Sequence, residues 1–203
     1  MTKIMRSENV VKRGSFVYIR RPWPQDRNEF INLNRASIDF YRGLTSPTTT
    51  PRQFETYLGR CNQNDFEGLL VCRIDDDAIV GSINLSQIIR GGFNSAYLGY
   101  EIGAPFAGRG YMTEAMQLVL NYAFNDLKLH RIEANIQPHN TESLALVKRA
   151  GFTNEGFSRR YLKICGRWRD HQRWAILAED WRAMKSLNKI SLSPGEIRAN
   201  RTR

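Results

Sequence analysis

Cysteine is scarce. The chain has three, Cys61, Cys72 and Cys165, an odd number with no CxxC pair, which excludes a disulfide framework and a zinc ribbon and fits reduced thiols. Long apolar runs are missing too: nothing approaches the roughly eighteen residues of a membrane span, and Met1 to Glu8 lacks the apolar centre of a signal sequence. The reading is a cytoplasmic protein with no membrane contact. His130, His139 and His171 have no HExxH spacing and no cysteine stands beside His139 in a ligand pattern, so no metal site is assigned. Internal repeats and low-complexity tracts are likewise absent from the body of the chain, which argues against solenoids and wholly disordered chains.

What is present is enough for one large domain, since 203 residues can bury about two-thirds of their unfolded surface. Cations outnumber acids 30 to 20, a net charge of +10, which favours anionic partners such as nucleic acid, a ribosome, an anionic membrane face or a phosphorylated cofactor. Residues 1–13 read as a flexible N-terminus, 14–187 as the folded domain, and 188–203, with Arg198, Arg201 and Arg203, as a basic mobile tail. That tail is either an electrostatic arm for RNA or a frayed end without a role.

Periodicity gives an order of elements. Phe16 to Arg20 suits a strand; Phe30, Ile31, Leu33 and Ile38 lie at helical spacing; a second helix spans Arg52 to Asn62. Three meandering strands follow, Gly68 to Ile74, Ile79 to Ile89 and Ser95 to Gly103. The last sets Ala96, Leu98, Tyr100 and Ile102 on one face against Tyr97, Gly99 and Glu101 on the other. A long helix from Tyr111 to Leu127, a strand from Arg131 to Gln137, a short helix from Thr141 to Arg149 ended by Gly151, and two strands, Thr153 to Lys163 and Arg167 to Ala178, complete the chain. The pattern predicts an α+β domain with a mostly antiparallel mixed sheet of about seven strands and about four helices. At least one strand-helix-strand unit supplies a parallel contact.

Two segments carry chemistry. In Gly108-Arg109-Gly110-Tyr111-Met112-Thr113, a glycine turn passes from a strand into a helix. Unpaired N–H groups and the positive end of the helix dipole then converge where an anion could sit, with Arg109 on the rim. Such a turn also serves as a plain tight connection. A Walker loop is excluded because Arg109-Gly110 replaces its Lys-Ser/Thr, and a dinucleotide fold because Thr113 stands where the third glycine belongs. In the second segment, Pro138-His139-Asn140-Thr141-Glu142-Ser143, Asn140 suits a helix cap or a hydrogen bond to a cofactor arm. Ser143 is an ordinary polar residue or a group that reaches a leaving group.

Taken together with Tyr100-Glu101-Ile102-Gly103 and Gly151-Phe152, these segments resemble the GNAT N-acetyltransferases over roughly residues 14 to 182. Within that superfamily, His130-Arg131-Ile132, Pro138-His139-Asn140 and Gly166-Arg167-Trp168-Arg169-Asp170-His171 look like the RimJ/RimL group of ribosomal-protein alanine N-acetyltransferases, its RimJ branch above all. The resemblance implies the GNAT fold, with acetyl-CoA as donor in a cleft between two splayed strands and a protein N-terminal amine as acceptor. It places the pyrophosphate cradle on Gly108, Arg109, Gly110, Tyr111, Met112 and Thr113, the pantetheine-pairing strand end on Ile102, Gly103 and Ala104, and a cofactor contact on Asn140. Pro105 departs from the Gln or Arg often found there, and Leu162 occupies the position of a carboxylate assigned as base in RimL relatives.

Acetyl transfer to nitrogen needs a neutral amine, a stabilised oxyanion and a proton for the departing thiolate, and an α-amine near pKa 8 needs less help than a lysine near 10.4. Glu101 is nominated as base, through water, and Ser143 as proton donor. A surface or ion-paired role for Glu101 stays open, as does an acceptor-cleft or ion-paired role for Asp170 and His171. The expected partners are acetyl-CoA and a protein N-terminus, possibly ribosomal, with weak rRNA contact through the basic surface, in a monomer or homodimer. Rival readings are a small-amine acetyltransferase, acting on an aminoglycoside, polyamine or amino-acid conjugate, and a non-catalytic ribosome-associated factor. A cleft rich in carboxylates would favour the small cationic acceptor, and a wide neutral one the peptide.

Overall fold

Alternation along the strands sorts their side chains into two cores. In β2 (Val17–Arg20), β3 (Phe66–Arg73) and β4 (Ile79–Ile89), Val17, Ile19, Leu69, Val71, Ile83 and Leu85 join one buried cluster, and Tyr18, Leu70, Cys72 and Ile79 join the other. The first cluster takes Ala115, Met116 and Val119 from α3 (Tyr111–Asn121) and Leu146 and Val147 from α4 (Thr141–Ala150). The second takes Phe30, Ile31 and Leu33 from α1 (Arg27–Ala36) and Phe54 from α2 (Pro51–Arg60). The sheet is therefore covered on both faces.

The computed structural model describes residues 9–191. The remaining strands are β1 (Val10–Arg13), β5 (Ser95–Ile102), β6 (Arg131–Ile136), β7 (Thr153–Ile164) and β8 (Arg167–Leu177), and α5 (Ala178–Ser191) closes the described chain. The eight strands run in the order β1-β2-β3-β4-β5-β6-β8-β7, antiparallel everywhere except between β5 and β6. Helix α3 is the crossover of that parallel pair. No helix of the described residues is long and apolar enough to cross a membrane.

The expected α+β class and mixed sheet are present, with one strand and one helix more than periodicity supplied. Val10–Arg13, read from sequence as part of a flexible lead, pairs with β2, because Val10 and Val11 pack on the two cores and Glu114 grips the turn that follows. Helix α5 is held by Ala178 and by Trp181, which is 5.6 Å from the Phe124 ring. Ile38 falls outside α1 and is exposed: Ser37 Oγ donates to Leu33 O at 2.7 Å and turns the chain away. The long helix also stops early, giving way to a π-turn over Tyr122–Asp126. The segment read as a flexible lead lies outside the described residues up to residue 8, and the basic tail does so from residue 192.

At the base of α1 sits a buried ion pair. Arg20 is fully buried and makes two 2.7 Å bonds to the Asp26 carboxylate, which also accepts the Trp23 N–H at 2.7 Å. Removing one partner strands the other as an uncompensated charge, at a cost of about 3–5 kcal/mol. Urea unfolding of Asp26→Ala should show that loss, and an Arg20→Leu/Asp26→Leu double variant should lose less than the single one. A single-variant loss below about 1 kcal/mol would show that the pair does not anchor this corner.

Candidate active site

Only three residue pairs hold β5 to β6. Ser95, Ala96 and Tyr97 face Arg131, Ile132 and Glu133, whereas β5 continues to Ile102 and β6 to Ile136. From Leu98 and Ala134 onward the strands part and open a slot in the sheet. Gly103 N donates to Val80 O at 2.8 Å, so pairing with β4 takes the backbone groups of Glu101 and Gly103 and leaves those of Tyr100 and Ile102 facing the slot. Ile102 O accepts the Tyr41 hydroxyl at 2.9 Å. Of the three residues assigned to the pantetheine arm, only Ile102 keeps an N–H on this edge. Ala104 N donates to Ser37 Oγ at 2.9 Å, and Gly103 serves packing, since a Cβ there would run into Leu33. At the β6 end, Asn135 Oδ1 and Gln137 Oε1 are buried with no hydrogen-bond partner among the described residues.

The glycine turn follows the slot end of β5 after one short helical turn, Ala104–Phe106. Gly108 and Gly110 have φ of 73° and 81°, left-handed values that favour glycine, and a Cβ on either would meet no atom within 4 Å. The turn thus needs glycine for its backbone and leaves open space above it. Gly110 is the N-cap of α3 and no side chain caps the helix, so the first-turn N–H groups of Tyr111, Met112 and Thr113 remain for an anion, with exposed Arg109 at the rim. The Met112 side chain itself is buried in the core, which limits its part to the backbone. Glu114 fixes the cradle: its carboxylate accepts the N–H groups of Ser15, Phe16 and Val17 at 2.6, 2.8 and 2.8 Å, tying α3 to the β1–β2 turn.

Asn140 takes the cap role. Its Oδ1 accepts the Ser143 N–H at 3.2 Å, which leaves its amide nitrogen to donate elsewhere. Ser143 stands in the first turn of α4, and the Tyr100 hydroxyl donates to its carbonyl at 3.4 Å. Burial pushes that phenol up to about 12, so Tyr100 remains a donor across the neutral range. Sequence reading assigned Tyr100 to an apolar strand face. Only the approach of α4, a contact 43 residues away in the chain, shows that its hydroxyl reaches the first turn of α4.

Glu101 lies on the opposite, α1/α2, side of the sheet. It lines a cavity of about 240 Å³ with Ser82, Asn84, Tyr57, Thr45 and Thr48, and accepts from Ser82 Oγ at 3.4 Å. Burial raises its carboxyl from 4.5 to about 7, against a lowering by the Ser82 bond. The loop over this cavity is tied down on several sides. Gln137 Nε2 donates to Gly43 O at 2.9 Å, Asn34 Nδ2 to Thr48 O at 3.0 Å, and Cys165 at the β7–β8 tip lies 3.5 Å from Ser46 Oγ. Asp170 and His171 are not among the lining residues. Asp170 accepts the Arg160 N–H at 2.7 Å, and His171 is buried beside Tyr161 with Nδ1 3.0 Å from Arg169 O; burial lowers its pKa. No group of three His, Cys, Asp or Glu placed to hold a metal occurs among the described residues.

This arrangement has known relatives. Residues 17–153 match the acetyltransferase (GNAT) domain, and the chain belongs to that family and is an acetyltransferase. It is 35% identical over 176 residues to Bacillus subtilis YjcK, named a probable N-acetyltransferase, covering 83% of this chain and 97% of that one. It is 43% identical over 107 residues to the Escherichia coli [ribosomal protein uS5]-alanine N-acetyltransferase, a match spanning 53% of this chain and 55% of the relative. Among solved structures, Mycobacterium smegmatis RimJ in complex with CoA-disulfide superposes with a TM-score of 0.76 at 24% identity, covering 85% of this chain and 89% of that one. GNAT acetyltransferases use acetyl-CoA. The uncapped α3 terminus, the free edge of β5 and the unpartnered side-chain oxygens of Asn135 in β6 and Gln137 just after it fit a diphosphate carrying an amide-bearing arm.

Two outcomes follow. Gly110→Glu forces an L-residue to φ 81° and sets a carboxylate against the cradle, so calorimetry should show coenzyme A affinity reduced at least about tenfold; unchanged affinity would remove the cradle from Gly110. Glu101 keeps its proton in the folded chain between pH 4.5 and about 7 but not in the unfolded one, so its contribution to stability is full below 4.5 and lost as pH rises through 7. Glu101→Gln should match wild type near about pH 4 and exceed it near about pH 8; equal stability at both would show an ordinary, solvated carboxyl.

Proposed function

We propose that the chain moves an acetyl group from acetyl-CoA to the α-amino group of a protein N-terminus, with a ribosomal protein as acceptor, in the cytoplasm. One observation carries this reading: a single desolvated carboxylate, Glu101, lines an otherwise neutral cavity on the far side of the slot from the anion cradle. A polyamine would need more than one carboxylate to replace the water around its charges. A peptide N-terminus brings one ammonium and needs one base. The Escherichia coli relative, named for ribosomal protein uS5, supports the same class; the Vibrio cholerae spermidine N(1)-acetyltransferase, 29% identical over 104 residues, supports the rival. A non-catalytic role leaves the half-buried, hydroxyl-bonded carboxyl at the cavity wall without a purpose.

The residues divide the work. The N–H groups of Tyr111, Met112 and Thr113, with Arg109 beside them, would hold the diphosphate, and the Tyr100 and Ile102 backbone with the Asn140 amide would orient the arm. When bound, acetyl-CoA supplies the activated acyl group. Glu101, with a pKa near 7, accepts the ammonium proton directly or through one water, and Thr45, Ser46 and Thr48 of the loop over residues 37–50 wall the cavity in which it does so. Ser143, with Tyr100 holding its turn, stands on the α4 side as the donor toward the departing sulfur.

A thiol-release assay with N-terminal peptides and spermidine tests this. Peptides should turn over and spermidine should not. Glu101→Gln should lower kcat about 10²- to 10⁴-fold with little change in coenzyme A affinity, and should abolish the rise of kcat/KM through about pH 7. Ser143→Ala should reduce kcat less. Turnover of spermidine above peptides would replace the acceptor, and an unchanged pH profile in Glu101→Gln would remove it as base.

A further inference from the structure

The hairpin of β7 and β8 carries more than its share of the net charge. Residues 159–170 hold five cations, Arg159, Arg160, Lys163, Arg167 and Arg169, against one acid, Asp170. That acid is engaged with the Arg160 backbone N–H at 2.7 Å, and none of the five cations forms an ion pair with another described residue. The strand register breaks between Ser158 and Leu162, and this bulge leaves Arg159 and Arg160 exposed beside the ladder.

Aromatic side chains stand among these charges. Lys163 is paired with Trp168 and Phe157 with Gln172, so strand alternation puts Trp168, Lys163 and Phe157 on one face, with Asp170 between the rings and its carboxylate turned to the Arg160 N–H. Trp168 is 61% and Phe157 52% exposed, on a face whose next members, Trp174 and Ile176, are buried in the core. Four residues along β8 separate the two exposed rings, about 14 Å. Cations along a ribbon with open aromatic faces spaced along it match a single nucleic-acid strand, whose phosphates need the charge and whose bases need the rings. An acidic peptide would use the charge and leave the rings bare.

We infer that the distal β7–β8 hairpin binds single-stranded RNA, with Trp168 as a stacking platform and Lys163, Arg159 and Arg160 on the phosphates. The hairpin tip touches the loop over the acceptor cavity, through Cys165 and Thr45, so RNA held on the hairpin would bring an RNA-associated acceptor to the edge of that loop. The inference builds on the acceptor reading only in that placement.

Anisotropy of a labelled, unstructured RNA oligonucleotide tests it on the full chain. Affinity should fall with salt, and Lys163→Ala/Arg159→Ala should reduce the slope of log K against log salt by about 1.4, at roughly 0.7 per phosphate contact on a single strand. Trp168→Ala should weaken binding about 5- to 100-fold, and RNA should quench Trp168 emission in wild type. Peptide acetylation should be unchanged in these variants, because none touches the slot. Wild-type RNA affinity in both variants would overturn the inference, as would loss of binding only on removal of residues 192–203. Trp168-dependent binding to phosphatidylglycerol vesicles in place of RNA would overturn it too. Anisotropy reads no turnover, so failure of the RNA contact leaves the acceptor reading standing, and failed acetylation leaves the contact standing.

Discussion

A parallel strand pair that ends after three residues is the constraint on which the site depends. Backbone N–H and C=O groups in the middle of a covered sheet are normally paired, because leaving them dry costs as much as a lost hydrogen bond. Here the strands diverge at Leu98 and Ala134: Tyr41 covers the Ile102 carbonyl, and beside the gap the side-chain oxygens of Asn135 and Gln137 are also left without a partner among the described residues. Such a gap is tolerable when a ligand with amide groups fills it, as the resemblance to coenzyme A-binding folds implies.

The divergence also separates two environments. On the α3/α4 side, uncapped N–H groups and the α3 dipole favour negative charge. On the α1/α2 side, Glu101 is half-buried, and that burial raises its carboxyl to about 7. The proposed reaction, which takes a proton from an amine and returns one to a thiolate, would need opposite preferences on either side of the acyl group. The neighbouring strand positions Tyr100 and Glu101 supply this by alternation alone, one reaching toward Ser143 and the other facing the cavity.

Features set by local pattern could be read from the chain. The glycine turn feeding a helix, the Asn140 cap, the Gly151 stop and the side of β5 on which Glu101 lies are all consequences of residues close in sequence, and each is present. Features decided by distant partners could not. The N–H groups of Gly103 and Ala104 are taken by Val80 and Ser37, β1 forms because Glu114 holds the turn after it, and Tyr100 becomes polar in function only when α4 packs near it. Asp170 likewise reads as a candidate for the cleft or for an ion pair, and a bulge ten residues away claims it instead.

Amide hydrogen exchange with and without coenzyme A tests the slot most directly, because it reads individual N–H groups. The account predicts new protection at Tyr100, Ile102 and residues 110–113, with Gly103 and Ala104 already slow in the free chain through their internal acceptors. Unaltered exchange at Tyr100 and Ile102, with coenzyme A bound and protection arising elsewhere, would contradict it.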